Sequence, residues 1–104
     1  MKRNPSDHDL ADHDLVSATK DAVACEFGEG LALLNLKSNI YYSLNGVGAF
    51  IWDLIQEPKP IGDIRGAVLA RYNVEPARCK ADVDALLKGL ADNGLARLHH
   101  EERV

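Results

Sequence analysis

A short repeat near the N-terminus carries the residues of this chain that most resemble metal ligands. The sequence DHDL occurs at Asp7 to Leu10 and again at Asp12 to Leu15, so His8 and His13 each lie between two carboxylates. Imidazole and carboxylate groups bind Zn²⁺ or Ni²⁺. The five-residue spacing fits no common site, however, and a flexible segment loses conformational entropy before it gains a ligand. We therefore predict no metal site here.

The rest of the sequence offers no catalytic constellation. It contains no GxSxG, no HExxH and no phosphate-binding glycine loop. All the histidines lie near the two chain ends, at His8, His13, His99 and His100. Cys25 and Cys79 form no CxxC motif, and we expect both to be buried, reduced thiols. The sequence thus predicts a protein that is not an enzyme and needs no cofactor.

Composition and charge exclude further classes of partner. A chain of 104 residues with 46% hydrophobic content supports one domain with a modest core. Twelve basic and sixteen acidic residues give a net charge of −4, so the basic footprint of a nucleic-acid binder is missing. No apolar run approaches the ~20 residues that span a bilayer, and no signal-peptide core follows Met1. We expect a cytoplasmic protein that binds neither nucleic acid nor membrane.

The elements that would position a binding surface begin with three segments of strand character. Ala22 to Phe27 alternates weakly, and the following Gly28-Glu29-Gly30 can supply the positive φ of a tight turn. Leu31 to Leu36 is almost continuously apolar, which is typical of a central strand. Ile40 to Leu44, which reads IYYSL, is β-branched and aromatic. The pattern predicts an antiparallel meander of three strands.

Apolar residues at three- and four-residue spacing then predict three helices. The first follows Asn45 and ends near Gln56, the second follows Gly62-Asp63, and the third begins at Pro76 and ends at Asn93-Gly94. Asn45 is a suitable N-cap and Pro76 suits a first helical position. In the second helix we expect Arg65 and Arg71 to remain in water. Leu95 to Leu98 is predicted as a short terminal extension or strand.

Together these elements predict an α+β fold in which a three-stranded antiparallel β-meander precedes a three-helix bundle, of winged-helix type. Residues 15–98 would form the domain, residues 1–14 a mobile tail and residues 99–104 a frayed C-terminus. The winged-helix geometry suggests DNA binding. The third helix argues against it, because its three basic residues are balanced by three Asp.

The third predicted strand, Ile40 to Leu44, lies at an edge of the meander. An edge strand has unpaired N–H and C=O groups and is a template for another chain. That chain can be a peptide, a partner protein or a second copy, so a homodimer is one of the expected outcomes.

Several motifs together resemble the PqqD-like family. They are a double Leu in the second strand, a YxxLN corner that begins at Tyr41, an Ile-Trp pair at Ile51-Trp52, and a DVxxLLxxL helix that begins at Asp82. The likeness extends from Ala22 to Leu98.

This resemblance implies a non-catalytic peptide chaperone, or recognition element, for ribosomally made precursor peptides. Such proteins bind the leader part of the precursor and present it to a modifying enzyme, such as a leader peptidase or a radical-SAM enzyme. The leader adds to the third strand and lies between that strand and the third helix, a case of β-augmentation. By position, the resemblance assigns the peptide-binding residues on the strand as Ile40, Tyr41, Tyr42 and Ser43. On the third helix, which the resemblance implies as the other wall, spacings of three and four put Lys80, Val83, Asp84 and Leu87 on one side.

Parts of this assignment have competing interpretations. Val83 and Leu87 also suit a plain core, and Tyr41 suits a solvated aromatic. The quinone-pathway members of the family typically have Pro-Glu after the apolar strand, where this chain has Asn35-Leu36-Lys37. Its YYSLN and GAFIW segments are closer to the stand-alone recognition proteins of lasso-peptide pathways, whose partner is a leader peptidase. The alternatives are a PqqD-type partner of a radical-SAM enzyme and a winged-helix DNA-binding protein.

Overall fold

A computed structural model describes residues 10–99 of the chain. In chain order the elements are β1 (Leu15–Ala18), β2 (Ala22–Phe27), β3 (Gly30–Asn35), β4 (Ile40–Leu44), α1 (Gly46–Leu54), β5 (Lys59–Pro60), α2 (Ile61–Arg71), α3 (Pro76–Asp92) and β6 (Ala96–His99). The strands form two antiparallel sheets, with orders β5-β1-β6 and β2-β3-β4. The predicted α+β class, the meander and the three helices are confirmed.

The sheet β5-β1-β6 is an addition to the predicted fold. β1 pairs with β6 from Leu15 opposite His99 to Ala18 opposite Ala96, so it joins two segments from opposite ends of the domain. β1 has four residues and β5 only two. Strands this short show no periodicity of their own and are stabilised by a pairing that is distant in sequence.

Residues 10–14 also differ from their predicted place in a solvated tail. Leu10 is 4% exposed and Asp14 is 3% exposed. The carbonyls of Asp14 and Asp12 accept the N–H groups of Ile61 and Gly62, both at 2.9 Å. The first turn of a helix has free N–H groups, and Pro60 at the N-cap of α2 provides no side-chain bond. The second DHDL therefore completes the start of α2, whereas His8 lies outside the described residues.

Two close backbone approaches shape the meander. Gly28, with φ of 61°, occupies the first position of the two-residue loop between β2 and β3, where a type II′ turn requires positive φ. A Cβ at Gly30 would lie 1.8 Å from the carbonyl oxygen of Leu44. Only glycine therefore allows β3 to start against the end of β4.

The core lies between β3 and the three helices. Its fully buried side chains include Leu33 from β3, Ile51 from α1, Ile64 from α2, and Leu87 and Leu90 from α3. α1 begins as predicted, because the Asn45 side chain accepts the Gly48 N–H at 2.8 Å. Within residues 10–99 no helix has the length and apolarity needed to cross a membrane.

The two cysteines occupy different environments. Cys79 is buried, and burial together with the nearby charge of Asp82 raises the pKa of its thiol. Cys25 is exposed on β2, so the expectation that it is buried is wrong. Both are free thiols.

Candidate functional site

The hydrogen-bond phase of the meander decides which backbone groups are free at its edges. The Leu36 N–H donates to the Asp21 carbonyl at 2.8 Å, in register with the β2–β3 ladder. In an antiparallel ladder, bonded and non-bonded pairs alternate. The backbone N–H and C=O groups of Leu31, Leu33 and Asn35 on β3 therefore point toward β4.

The free groups of β4 follow from this phase. Tyr42 lies opposite Leu33 and directs its N–H and C=O into the sheet. Tyr41 and Ser43 consequently direct theirs away from it, and β4 pairs with β3 alone in the described part of the chain. The predicted edge strand is thus present, and its two open residues are Tyr41 and Ser43.

Side chains along β4 alternate between two environments. Tyr41 is 71% exposed, and Ser43 is also exposed, on the outer face of the sheet. Tyr42 is turned to the inner face and is half-buried. A Cβ at Gly89 would lie 2.5 Å from the Tyr42 hydroxyl, so the ring tip rests on the backbone of α3. Ile40, at the start of the strand, is 44% exposed.

One row of α3 residues lies nearest to β4, and the space between this row and β4 is the groove. Gly89 contacts Tyr42, and Asp82 and Leu86 line a cavity that also includes Asn45, the residue after β4. These α3 residues are spaced by four and three, so they share one side of the helix. The cavity has a volume of about 250 Å³. Its lining is mostly apolar and comprises Asn45, Val47, Gly48, Ile51, Val68, Tyr72, Val74, Cys79, Asp82, Val83 and Leu86.

The helix residues assigned from the resemblance are placed differently. Val83 and Leu87 are 2% and 0% exposed, as the core interpretation holds, and only Val83 lines the cavity. Lys80 and Asp84 lie about 160° from Asp82 around the helix axis, on either side, at 3.6 residues per turn. Lys80 and Asp84 therefore lie on the side of α3 away from Gly89, the residue that contacts Tyr42. The assignment of the helix set to peptide binding stays a prediction.

Arg65 explains why Asp84 faces away from β4. The guanidinium donates to both Asp84 carboxylate oxygens, at 2.7 and 2.8 Å, and to the Leu10 carbonyl at 2.9 Å. It also donates to Asp12, and Lys80 donates to Asp84 at 3.1 Å.

The Arg65–Asp84 pair at the centre of this cluster is largely withdrawn from solvent, whereas the side chains of Asp12 and Lys80 are exposed. The Arg65 side chain is 12% exposed, so the expectation that it remains in water is wrong. Burial acts to lower the pKa of Arg65, but the hydrogen bonds and charges of Asp84 and Asp12 outweigh it and raise that pKa. The cluster joins the N-terminal segment, α2 and α3, and so fixes the position of the helix beside the edge.

Asn35 holds the C-terminal end of α3 in place, as the Arg65 cluster holds its N-terminal half. It is 5% exposed, and its amide nitrogen donates to the carbonyls of Asn93 at 2.9 Å and Gly94 at 3.3 Å. Its side-chain oxygen accepts the N–H groups of Lys37 at 2.9 Å and Ser38 at 3.3 Å. Asn35 therefore shapes the turn before β4 and holds the end of α3 against it. A polar residue inside an apolar strand was the signal in the sequence.

The metal interpretation has no support in the described residues. His13 is exposed, and residues 10–99 contain no group of three or more His, Cys, Asp or Glu arranged to hold an ion.

The fold and its edge define the class of this protein: a small α+β domain with an open antiparallel strand beside a helix and an apolar cavity. A family profile described as coenzyme PQQ synthesis protein D (PqqD) matches residues 30–96. The chain belongs to the PqqD family.

Three solved structures are similar to the chain. TbiB1, in complex with the TbiA(beta) leader peptide, is 28% identical, with a TM-score of 0.69 over 84% of this chain and 99% of that one. Lasso peptide synthetase B1, complexed with the leader peptide, is 24% identical, with a TM-score of 0.68 over 79% and 96%. The PqqD truncation of Methylobacterium extorquens PqqCD, a recognition element, is 17% identical, with a TM-score of 0.68 over 85% and 94%. The last two likenesses concern the fold alone. A comparison with curated protein sequences gave no significant match.

Proposed function

We propose that this protein binds the leader segment of a ribosomally made precursor peptide by strand addition to β4. The observation that carries the proposal is the open backbone of Tyr41 and Ser43 beside the groove to α3. Membership of the PqqD family and the likeness to TbiB1, solved with a leader peptide, support this class of ligand. Each bond of such a ladder is sequence-independent, so the backbone supplies affinity for an extended peptide.

The groove supplies selectivity. Side chains of an added strand alternate in direction, so the leader residue opposite Tyr42 turns inward, toward Leu86 and Gly89 of α3. The cavity of about 250 Å³ near Asn45 has room for one large apolar side chain. Burying such a side chain contributes about 1.5–3 kcal/mol. We therefore propose that the leader carries an apolar anchor residue for this cavity, next to the segment that pairs with β4.

We further propose that the protein acts without catalysis and presents the leader to a modifying enzyme. A leader peptidase of a lasso-peptide pathway is preferred, because the YYSLN and GAFIW segments are closer to the stand-alone recognition proteins of such pathways. A radical-SAM partner of PqqD type is the alternative, and the family match supports both. Asn35-Leu36-Lys37 at the Pro-Glu position favours the first.

A carboxylate in the groove should weaken leader binding. Leu86→Glu places a charge at the cavity wall, where the leader side chain would bury it, so we expect the dissociation constant to rise 10- to 100-fold, or about 1.4–2.8 kcal/mol. Fluorescence anisotropy of a labelled synthetic leader, taken from the precursor encoded beside this chain, measures the change.

The matched control is Leu69→Glu. Leu69 is 38% exposed on α2 and does not line the cavity, so this variant makes the same chemical change away from the groove and should bind the leader within twofold of wild type. If Leu86→Glu binds the leader as tightly as wild type does, the leader does not use the cavity. If wild type does not bind the leader at all, the proposed function is wrong.

A further inference from the structure

The sheet β2-β3-β4 has a second open edge at β2, on the side opposite β4. β2 pairs only with β3 in the described part of the chain, and five of its six residues are exposed. The hydrogen bond from the Leu36 N–H to the Asp21 carbonyl fixes which β2 residues bond to β3. By the alternation of bonded pairs, the backbone N–H and C=O groups of Ala22, Ala24 and Glu26 point away from β3. Edge strands are usually protected by charged side chains, Pro, a bulge or a covering element. The six residues AVACEF provide neither Lys nor Pro, and their single charged residue is Glu26.

The outer face of β2 is apolar as well. Val23 is 44% exposed and Phe27 is 71% exposed, and both lie with Cys25 on the face away from the core. Antiparallel sheets normally present polar side chains on such a face. An uncovered strand with an apolar face is a site for association with another polypeptide.

We propose that a second copy of this chain pairs with β2 in antiparallel fashion, about a two-fold axis at Cys25. Two copies of Ala24 then exchange backbone hydrogen bonds with Glu26 of the other copy. Val23 of each copy lies opposite Phe27 of the other, and the two Cys25 residues face each other as a non-bonded pair. The two sheets join into one of six strands.

Charge and contact select this register. Moving the axis to Glu26 would place two carboxylates opposite each other, which is destabilising. Moving it to Ala24 would place Phe27 opposite Asp21 and leave the ring in water. Only the axis at Cys25 covers Phe27 with Val23 while Glu26 faces the small Ala24. A two-fold contact between identical strands is also the commonest way in which chains associate.

A second copy fits this edge better than a free peptide does. The pocket that includes Ala22, at the start of β2, is lined mostly by polar residues. Ala24 and Glu26 are exposed on the inner face, so a peptide would gain backbone bonds alone. β2 of another copy is already extended and needs no ordering. The interface is small, since a six-residue strand spans ~20 Å and a stable interface buries ~800 Å² on each partner. The association is therefore weak and depends on concentration.

Sedimentation of the full chain, from low micromolar to millimolar concentration, tests the proposal. We expect wild type to shift from monomer to dimer. Ala24→Pro removes an outward N–H, and Phe27→Glu places a carboxylate against Val23, so each should weaken self-association at least tenfold. Circular dichroism confirms that both variants fold.

Two controls isolate the edge that is used. Ser43→Pro, on β4, should leave self-association unchanged, and Ala24→Pro should leave leader binding unchanged, so this proposal and the leader proposal fail separately.

Oxidised glutathione should convert two Cys25 thiols into one intermolecular disulfide, with release of two reduced glutathione molecules, in wild type but not in Cys25→Ser. A monomer at every concentration, or a dimer that both β2 variants retain, overturns the proposal.

Discussion

Ser43→Pro is expected to weaken leader binding at least a hundredfold while the domain stays folded. The Ser43 N–H points away from β3, so proline removes a bond that only an added strand would make. Its ring also blocks the close approach of that strand. A hundredfold loss corresponds to about 2.8 kcal/mol, which one lost charge-neutral bond and the steric block together supply. Proline is tolerated at an edge position whose N–H faces solvent.

The proline must replace a residue whose N–H points away from β3. Tyr42→Pro would remove an N–H that bonds to Leu33 and so break the β3–β4 ladder, which confuses loss of fold with loss of binding. Ala24→Pro is the matched control, because it makes the same change at an outward N–H on the opposite edge of the same sheet. Leader titrations by calorimetry, with circular dichroism on each variant, measure the effect. A folded Ser43→Pro that binds with wild-type affinity would show that the leader does not add to β4.

Arg65→Ala should lower the free energy of unfolding by roughly 2–3 kcal/mol, the second large effect. The substitution leaves the buried Asp84 carboxylate with Lys80 as its remaining cationic partner and releases Asp12 and Leu10. Urea titration followed by the fluorescence of Trp52, which is buried, gives the change directly.

Lys80→Ala separates a structural role from peptide binding. Lys80 is 55% exposed in its ion pair with Asp84, so its loss should cost only about 0.5 kcal/mol of stability. It lies on the far side of α3 from β4, and leader affinity should stay within twofold of wild type. If Lys80→Ala weakened the leader as much as Leu86→Glu, the leader would contact the opposite face of α3 and the groove described here would be misplaced.

The sequence predicts the elements of the open edge well, because they are local. A few neighbouring residues are enough to predict each of them. The β-branched and aromatic run from Ile40 to Leu44 predicts the strand, and Asn45 predicts the start of α1. The last strand of a meander is an edge when no later strand pairs with it, as is the case for β4 in residues 10–99. Which of its residues have free backbone groups depends on the phase of the ladder, however, and that phase follows from the register with β3 and β2.

The parts that escaped prediction depend on distant contacts. β1 forms only because β6 returns beside it, and Arg65 is withdrawn from water only because Asp84 and the segment at Leu10 surround it. The α3 residues that border the groove were missed for the same reason. Leu86 and Lys80 both belong to regular three- and four-residue series, and packing against Tyr42 and Arg65 decides which series faces β4.

Hydrogen exchange of the backbone amides, with and without the synthetic leader, tests strand addition most directly. The amides of Tyr41 and Ser43 should exchange rapidly in the free protein and become protected when the leader binds, because they then donate to it. The amides of Ala24 and Glu26, which face the other edge, should keep their rates at protein concentrations where the chain is monomeric. Leader binding that leaves Tyr41 and Ser43 unprotected, or that protects β2 instead, would contradict the proposal that β4 is the docking strand.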